Sequence, residues 1–237
     1  MSALWPFGNI PMFSQGVVHI DIPWSYEMWS ALGHKKSPHA HYDCMSIDEL
    51  KALPVGHLAA PDSVCVMWGV WPMLPQALDL LAHYGFQYKT GGAWAKQSPT
   101  GKNWAFGTGY IYRSASEFWI VGTIGSPRLK SKSIRNLLIA PRREHSRKPD
   151  QIFTDIEALW DGPYIDLFGR QQRAGWTAWG NEAWKFDEIP GPRRDRKRND
   201  GQGNGLTGGG IAGGMTSPHN RPVESFSAAP LFDGAVL

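Results

Sequence analysis

Residues 16–24 read GVVHIDIPW. The opening five form an apolar run, the pattern of a strand covered on both faces of a sheet. Asp21, Pro23 and Trp24 follow where that strand should end. SIDELKAL (46–53) opens with Ser46 and carries Glu49 three residues later, a capping box for a helix. SVCVMWGV (63–70) is a second buried-strand run. Between Pro72 and Gly85, residues Leu74, Ala77, Leu78 and Leu81 share one helical face. EFWIVGTIG (117–125) reads as a strand. KPDQIFTDIEALW (148–160) sets Ile152, Ile156, Leu159 and Trp160 at helical spacing, with Pro149 and Asp150 suited to a first turn. YIDLFG (164–169) and WTAWG (176–180) read as further strands. This alternation predicts an α/β fold, a doubly wound, mostly parallel sheet. Ligands of such sheets bind outside the carboxyl ends of the strands, so Asp21 and Trp24 mark where chemistry is expected.

The tetrapeptide DIPW suits a particular ligand. The Asp21 carboxylate accepts a hydrogen bond from an amino group, and the Ile22 carbonyl accepts a second. Pro23 stiffens the turn by fixing φ and giving up its N–H. The Trp24 ring offers a face on which a flat base stacks. Two acceptors and a stacking plate describe a socket for an exocyclic amino group on a planar heterocycle. A strand-end turn with a buried tryptophan would use the same residues.

The 237 residues suffice for one domain, predicted over 1–189, with a tail over 190–237. Two cysteines without CxxC spacing, Cys44 and Cys65, argue against a disulfide framework or a zinc cluster. No apolar run is long enough to cross a membrane and no N-terminal signal is visible, so a soluble intracellular protein is expected. Formal charge is +3, but residues 128–148 hold eight Lys/Arg against one acid, and RRDRKR (193–198) holds five against one. Such stripes fit a polyanionic partner or a solvated surface. The tail is rich in Gly, Pro, Asn and Arg and lacks core-forming periodicity, so it is expected to be disordered. His34, His39 and His41 sit close enough together to invite a metal reading, but a flexible loop after the strand-end turn is the expected one.

Taken together and in order, these segments resemble the adenine-N6 methyltransferases of the "MT-A seventy" type, which include the catalytic subunit of the eukaryotic mRNA m6A writer and small phage and bacterial relatives. DIPW resembles the family's Asp-Pro-Pro-Trp. HYDCMSIDELKALPV (41–55) resembles its Tyr-x-x-Met-Ser-x-x-Glu-Leu segment, and residues 66–96 its strand–helix–strand unit ending in Trp-x-Lys. GTGYIYRSASEFWIVGTIG (107–125) resembles its substrate loop and following strand. HSRKPDQIFTDIEAL (145–159), DLFGR (166–170) and GWTAWGNE (175–182) resemble its cofactor-binding end. The similarity covers roughly residues 5–184.

The resemblance implies a Rossmann-like methyltransferase fold and methyl transfer from S-adenosylmethionine to the N6 amino group of adenine, with no metal. Asp21, Ile22, Pro23 and Trp24 match the catalytic tetrapeptide, with Ile22 in place of a proline. Asn9, Ile10, Asp21, Lys148, Arg170, Asn181 and Glu182 match positions that hold the cofactor. Lys96, Arg113, Glu117, Arg142 and Arg143 are candidate substrate contacts. The loops at about 25–45, 97–114 and 125–147 are the segments available to read a short or relaxed sequence. DNA is favoured over RNA as substrate, in the cytoplasm of a bacterium or phage-infected cell. A homodimer or a heterodimer with a related subunit fits the family, which also contains nucleic-acid-binding subunits that have lost catalysis.

Overall fold

A computed structural model describes residues 5–24, 44–109, 111–144 and 147–187. The histidine-bearing loop and the tail lie outside the described residues.

Seven strands form one sheet in the order β5-β3-β4-β2-β1-β6-β7. They are β1 (Gln15–Asp21), β2 (Ala59–Gly69), β3 (Gln87–Gln97), β4 (Ser116–Ile124), β5 (Leu137–Pro141), β6 (Tyr164–Leu167) and β7 (Trp176–Trp179). Among the described strands β4 alone is reversed, antiparallel to both β2 and β3; the other pairings are parallel. The sheet is therefore mixed, mostly parallel and Rossmann-like.

The residues of β1 alternate between two cores. Val18 and Ile20 join one cluster, where α1 (Ile47–Ala52) contributes Leu50 and α2 (Leu74–His83) contributes Ala77, Leu80 and Leu81. Val17 faces the other, where α3 (Gln151–Leu159) contributes Ile152, Phe153 and Ile156. Helices on both faces explain why the central strands read as continuous apolar runs. The capping box of α1 forms as expected: Ser46 Oγ accepts from the Glu49 N–H, and Glu49 accepts from the Ser46 N–H.

The segment 125–147 is not all loop, because Leu137–Pro141 pairs with β3 as an edge strand. Leu138 is buried while Leu137 and Ile139 face outward, so half of its apolar residues stay exposed. Among the described residues, no helix is long and apolar enough to cross a membrane.

Candidate active site

One edge of the sheet collects the carboxyl ends of six strands and the amino end of β4. α1 follows β1 on one face and α3 precedes β6 on the other, so a crevice opens between β1 and β6, as expected where the winding direction changes. A pocket lies there. Its lining includes Asp21 from β1, Lys148 from the turn before α3, Asp166 from β6, and Gly169 and Arg170 beyond it.

Four charged side chains run inward from Asp21. Lys148 Nζ donates to Asp21 Oδ1 at 2.7 Å and lies 3.5 Å from Glu117 Oε2. Glu117 Oε1 accepts from Lys96. The chain therefore alternates carboxylate, ammonium, carboxylate, ammonium, with each side chain less than a fifth exposed. Burial pushes the Glu117 carboxyl up, but Lys148 and Lys96 on either side outweigh burial and hold it below the ordinary glutamate range. The Lys148 ammonium also sits 5.5 Å from the Trp68 ring centroid. Its backbone is fixed by Arg143, which donates to the Lys148 carbonyl and pairs with Asp150. Asp150 stands at the N-cap of α3 without capping it; its carboxylate instead holds Arg143 and Arg173.

A second polar group forms the floor. The Trp68 indole N–H donates to His19 Nε2 at 2.9 Å, and His19 Nδ1 lies 2.7 Å from Asp166 Oδ1. An indole can only donate, so Nε2 is the acceptor and Nδ1 carries the proton given to Asp166. After β6, Phe168 takes a left-handed φ of 61° and its N–H donates to the Trp179 carbonyl. Gly169 follows because a Cβ there would strike the Asp166 carboxylate. His19 and Asp166 were not singled out by the sequence reading. The signal was there, since each is a polar residue inside a buried-strand run.

The remaining cofactor candidates sit farther along the same edge. Arg170 Nε is 3.3 Å from Glu182 Oε2, and Lys185 donates to Glu182 Oε1 at 2.6 Å. Glu182 Oε2 is buried without a hydrogen bond. Asn181 and Glu182 follow β7 after Gly180. Asn9 and Ile10 lie in a segment tied to that end: Trp5 Nε1 donates to the Ile10 carbonyl, Trp179 Nε1 to the Pro6 carbonyl, and Phe7 packs edge-on against both Trp5 and Trp179. Of these candidates Asp21, Lys148 and Arg170 line the pocket, whereas Asn9, Ile10, Asn181 and Glu182 do not. Among the substrate candidates, Lys96 and Glu117 belong to the charged chain and Arg143 supports Lys148. Arg142 is exposed, its N–H bonded to the Gln97 carbonyl, and Arg113 lies 5.7 Å over the Phe106 ring.

Two expectations for DIPW need correction. The Trp24 ring is 4% exposed, packs in the core and donates to the Trp68 carbonyl, so it offers no open stacking face. Tryptophan carries enough apolar area that the core claims it. Ile22 also contributes more than a carbonyl: its side chain is buried in the same cluster, and its carbonyl already accepts from the Trp24 N–H at 2.9 Å, leaving one lone pair. Ile22→Pro should therefore keep methyl transfer within tenfold while costing roughly 1–3 kcal/mol of stability from lost packing. Calorimetric melting and transfer assays on one preparation check this; an unchanged Tm would show that the Ile22 side chain contributes nothing.

The residues present fit S-adenosylmethionine. An ammonium for its carboxylate (Lys148), a carboxylate for its ribose hydroxyls (Glu182, already ion-paired with Arg170) and a side-chain-free turn (Gly169) lie along one sheet edge.

The chain belongs to the MT-A70 family of N6-adenine methyltransferases, whose profile matches residues 15–182. It is 28% identical over 196 residues to the type II methyltransferase M.MunI of a Mycoplasma species, covering 74% of this chain and 81% of that protein. It is 27% identical over 171 residues to a putative N(6)-adenosine-methyltransferase MT-A70-like protein of Medicago truncatula, covering 70% of this chain and 26% of that protein. It is 25% identical over 189 residues to the human N(6)-adenine-specific methyltransferase METTL4, covering 73% of this chain and 38% of that protein.

Proposed function

We propose that this chain transfers a methyl group from S-adenosylmethionine to the N6 amino group of adenine in DNA, reading a short or relaxed sequence. The observation that carries the proposal is the Asp21 carboxylate at the carboxyl end of β1, in the crevice beside β6, flanked by the Ile22 carbonyl. The type II methyltransferase, covered over 81% of its length, supports the enzymatic reading, and DNA in place of RNA is our own choice, which the experiment below decides.

When bound, S-adenosylmethionine supplies a methyl group on a positively charged sulfur. The protein positions the nucleophile. Asp21 and the free lone pair of the Ile22 carbonyl accept the two amino N–H bonds, which turns the nitrogen lone pair out of conjugation with the ring. The proton lost from the methylated nitrogen leaves along its hydrogen bond to an Asp21 oxygen. Lys148 and Arg170 would hold the charged and ribose ends of the cofactor, and Glu182 would accept from the ribose. Holding both reactants in line supplies much of the remaining acceleration. The target base leaves its stack to reach a crevice this close to the sheet edge.

Purified protein incubated with methyl-labelled S-adenosylmethionine and single- or double-stranded DNA or RNA, followed by nucleoside analysis, tests the reading. N6-methyldeoxyadenosine is the expected product. Label only in RNA would move the substrate, and no label in any arm would point to a non-catalytic subunit. Lys148→Ala and Glu182→Ala should each weaken S-adenosylhomocysteine binding about 10- to 100-fold, the loss expected for one charge-assisted hydrogen bond. Unchanged calorimetric affinity in both variants would remove them from the cofactor site.

A further inference from the structure

The connection between β3 and β4 carries three rings and an isoleucine that the core does not use. Trp104 is 62% exposed, Phe106 77%, Ile111 88% and Tyr112 87%. Their backbone is held in place. The Ala105 N–H donates to the Lys96 carbonyl, the Ser98 N–H to the Asn103 carbonyl, and the Gly107 N–H to the Ser114 carbonyl. Ala105 is buried, so its neighbours Trp104 and Phe106 both project away from the sheet. Residues 97–116 hold two cations, Lys102 and Arg113, and no acid. The Arg113 guanidinium already lies against the Phe106 ring. Trp71, 49% exposed just after β2, donates to Ser116 Oγ at the start of β4 and packs against Phe118, which sets a further exposed ring at the same end of the sheet, one strand nearer β1.

We propose that Trp71, Trp104, Phe106 and Tyr112 form a stacking platform for unpaired bases beside the target adenine, so that the substrate strand is bound single-stranded. The inference rests on the methyltransferase reading of the Asp21 site. Exposed rings interleaved with cations and free of acids suit a strand whose bases have lost their own stacking partners. A duplex hides those faces. The reach is consistent. From β1 to β3 the sheet crosses β2 and β4, three interstrand spacings or about 14 Å. A single strand covers that within about four nucleotides, at roughly 3.4 Å or more each.

The test uses the full chain and a labelled 12-nucleotide DNA with one adenine, read by fluorescence anisotropy. Trp104→Ala/Phe106→Ala should raise the single-strand Kd about 10- to 100-fold, with S-adenosylhomocysteine affinity unchanged. Arg113→Gln should lower the slope of log affinity against log salt by about 0.7. Abasic sites placed up to four nucleotides from the adenine, on one side, should weaken binding to the unaltered protein; this arm needs no variant to fold. An unchanged Kd together with insensitivity to abasic sites overturns the platform. So does an unchanged Kd with a shifted oligomeric state in sedimentation, which would assign the rings to contact with a second copy. Methyl transfer by the unaltered protein separates the two readings. Transfer with unchanged variant binding sinks the platform alone, and ring-dependent binding without transfer sinks the enzyme alone.

Discussion

Asp21→Asn is expected to lower the rate of methyl transfer about a thousandfold while S-adenosylhomocysteine affinity changes only severalfold. The size follows from what removal of one preorganised group facing the reacting atom costs in other enzymes. The substitution keeps the shape of the side chain and replaces one acceptor oxygen with a donor, which opposes the amino group it should receive. Lys148 loses the charge of its 2.7 Å partner but remains within ion-pair distance of Glu117, so the fold survives. Single-turnover assays at saturating cofactor read the rate, and calorimetry reads the affinity. Turnover within tenfold of the unaltered protein would remove Asp21 from the catalytic role.

Glu117→Gln is expected to lower stability by about 3 kcal/mol, because it leaves Lys96 and half of Lys148's pairing uncompensated in a largely buried setting. For a domain of this size that is a drop in Tm of roughly 6–12 °C. The pH dependence has a definite sign. The folded-state carboxyl is held below its ordinary value, so its contribution is fully present above the ordinary glutamate range. It is lost as the pH falls through the lower folded value. The unaltered protein should lose stability on acidification through that window, and the glutamine variant should show a shallower loss. Equal acid sensitivity in both would show that the pairing with Lys96 and Lys148 does not stabilise the fold.

The two experiments address different layers of one charged chain. Asp21 faces the pocket, whereas Glu117 stands behind Lys148 and holds it in position. Activity lost with stability kept, and stability lost with activity per folded molecule reduced less, is the expected contrast.

Most of the sheet was legible from local pattern. β1, β2 and β4 read as buried runs, α2 and α3 as helical faces, and Ser46 with Glu49 as a cap, because each depends on neighbours a few residues away. The ordered segments also carried the family, which needs residue types in sequence and no knowledge of contacts. Edge strand β5 was missed. It alternates buried and exposed apolar residues inside a basic stretch, and only its pairing with β3, some 45 residues earlier, makes it a strand. The reversal of β4 was equally silent, since a strand buried on both faces has the same composition in either direction. The sequence by itself determined the fold class, the family and the position of Asp21 at the end of a core strand. Tertiary structure alone decided that Lys148 reaches back across 127 residues to Asp21, that His19 meets Asp166, and that the Trp24 ring belongs to the core. Those are questions of which distant groups share a low-dielectric space, and the pairing energies and burial that answer them exist only once the chain has closed.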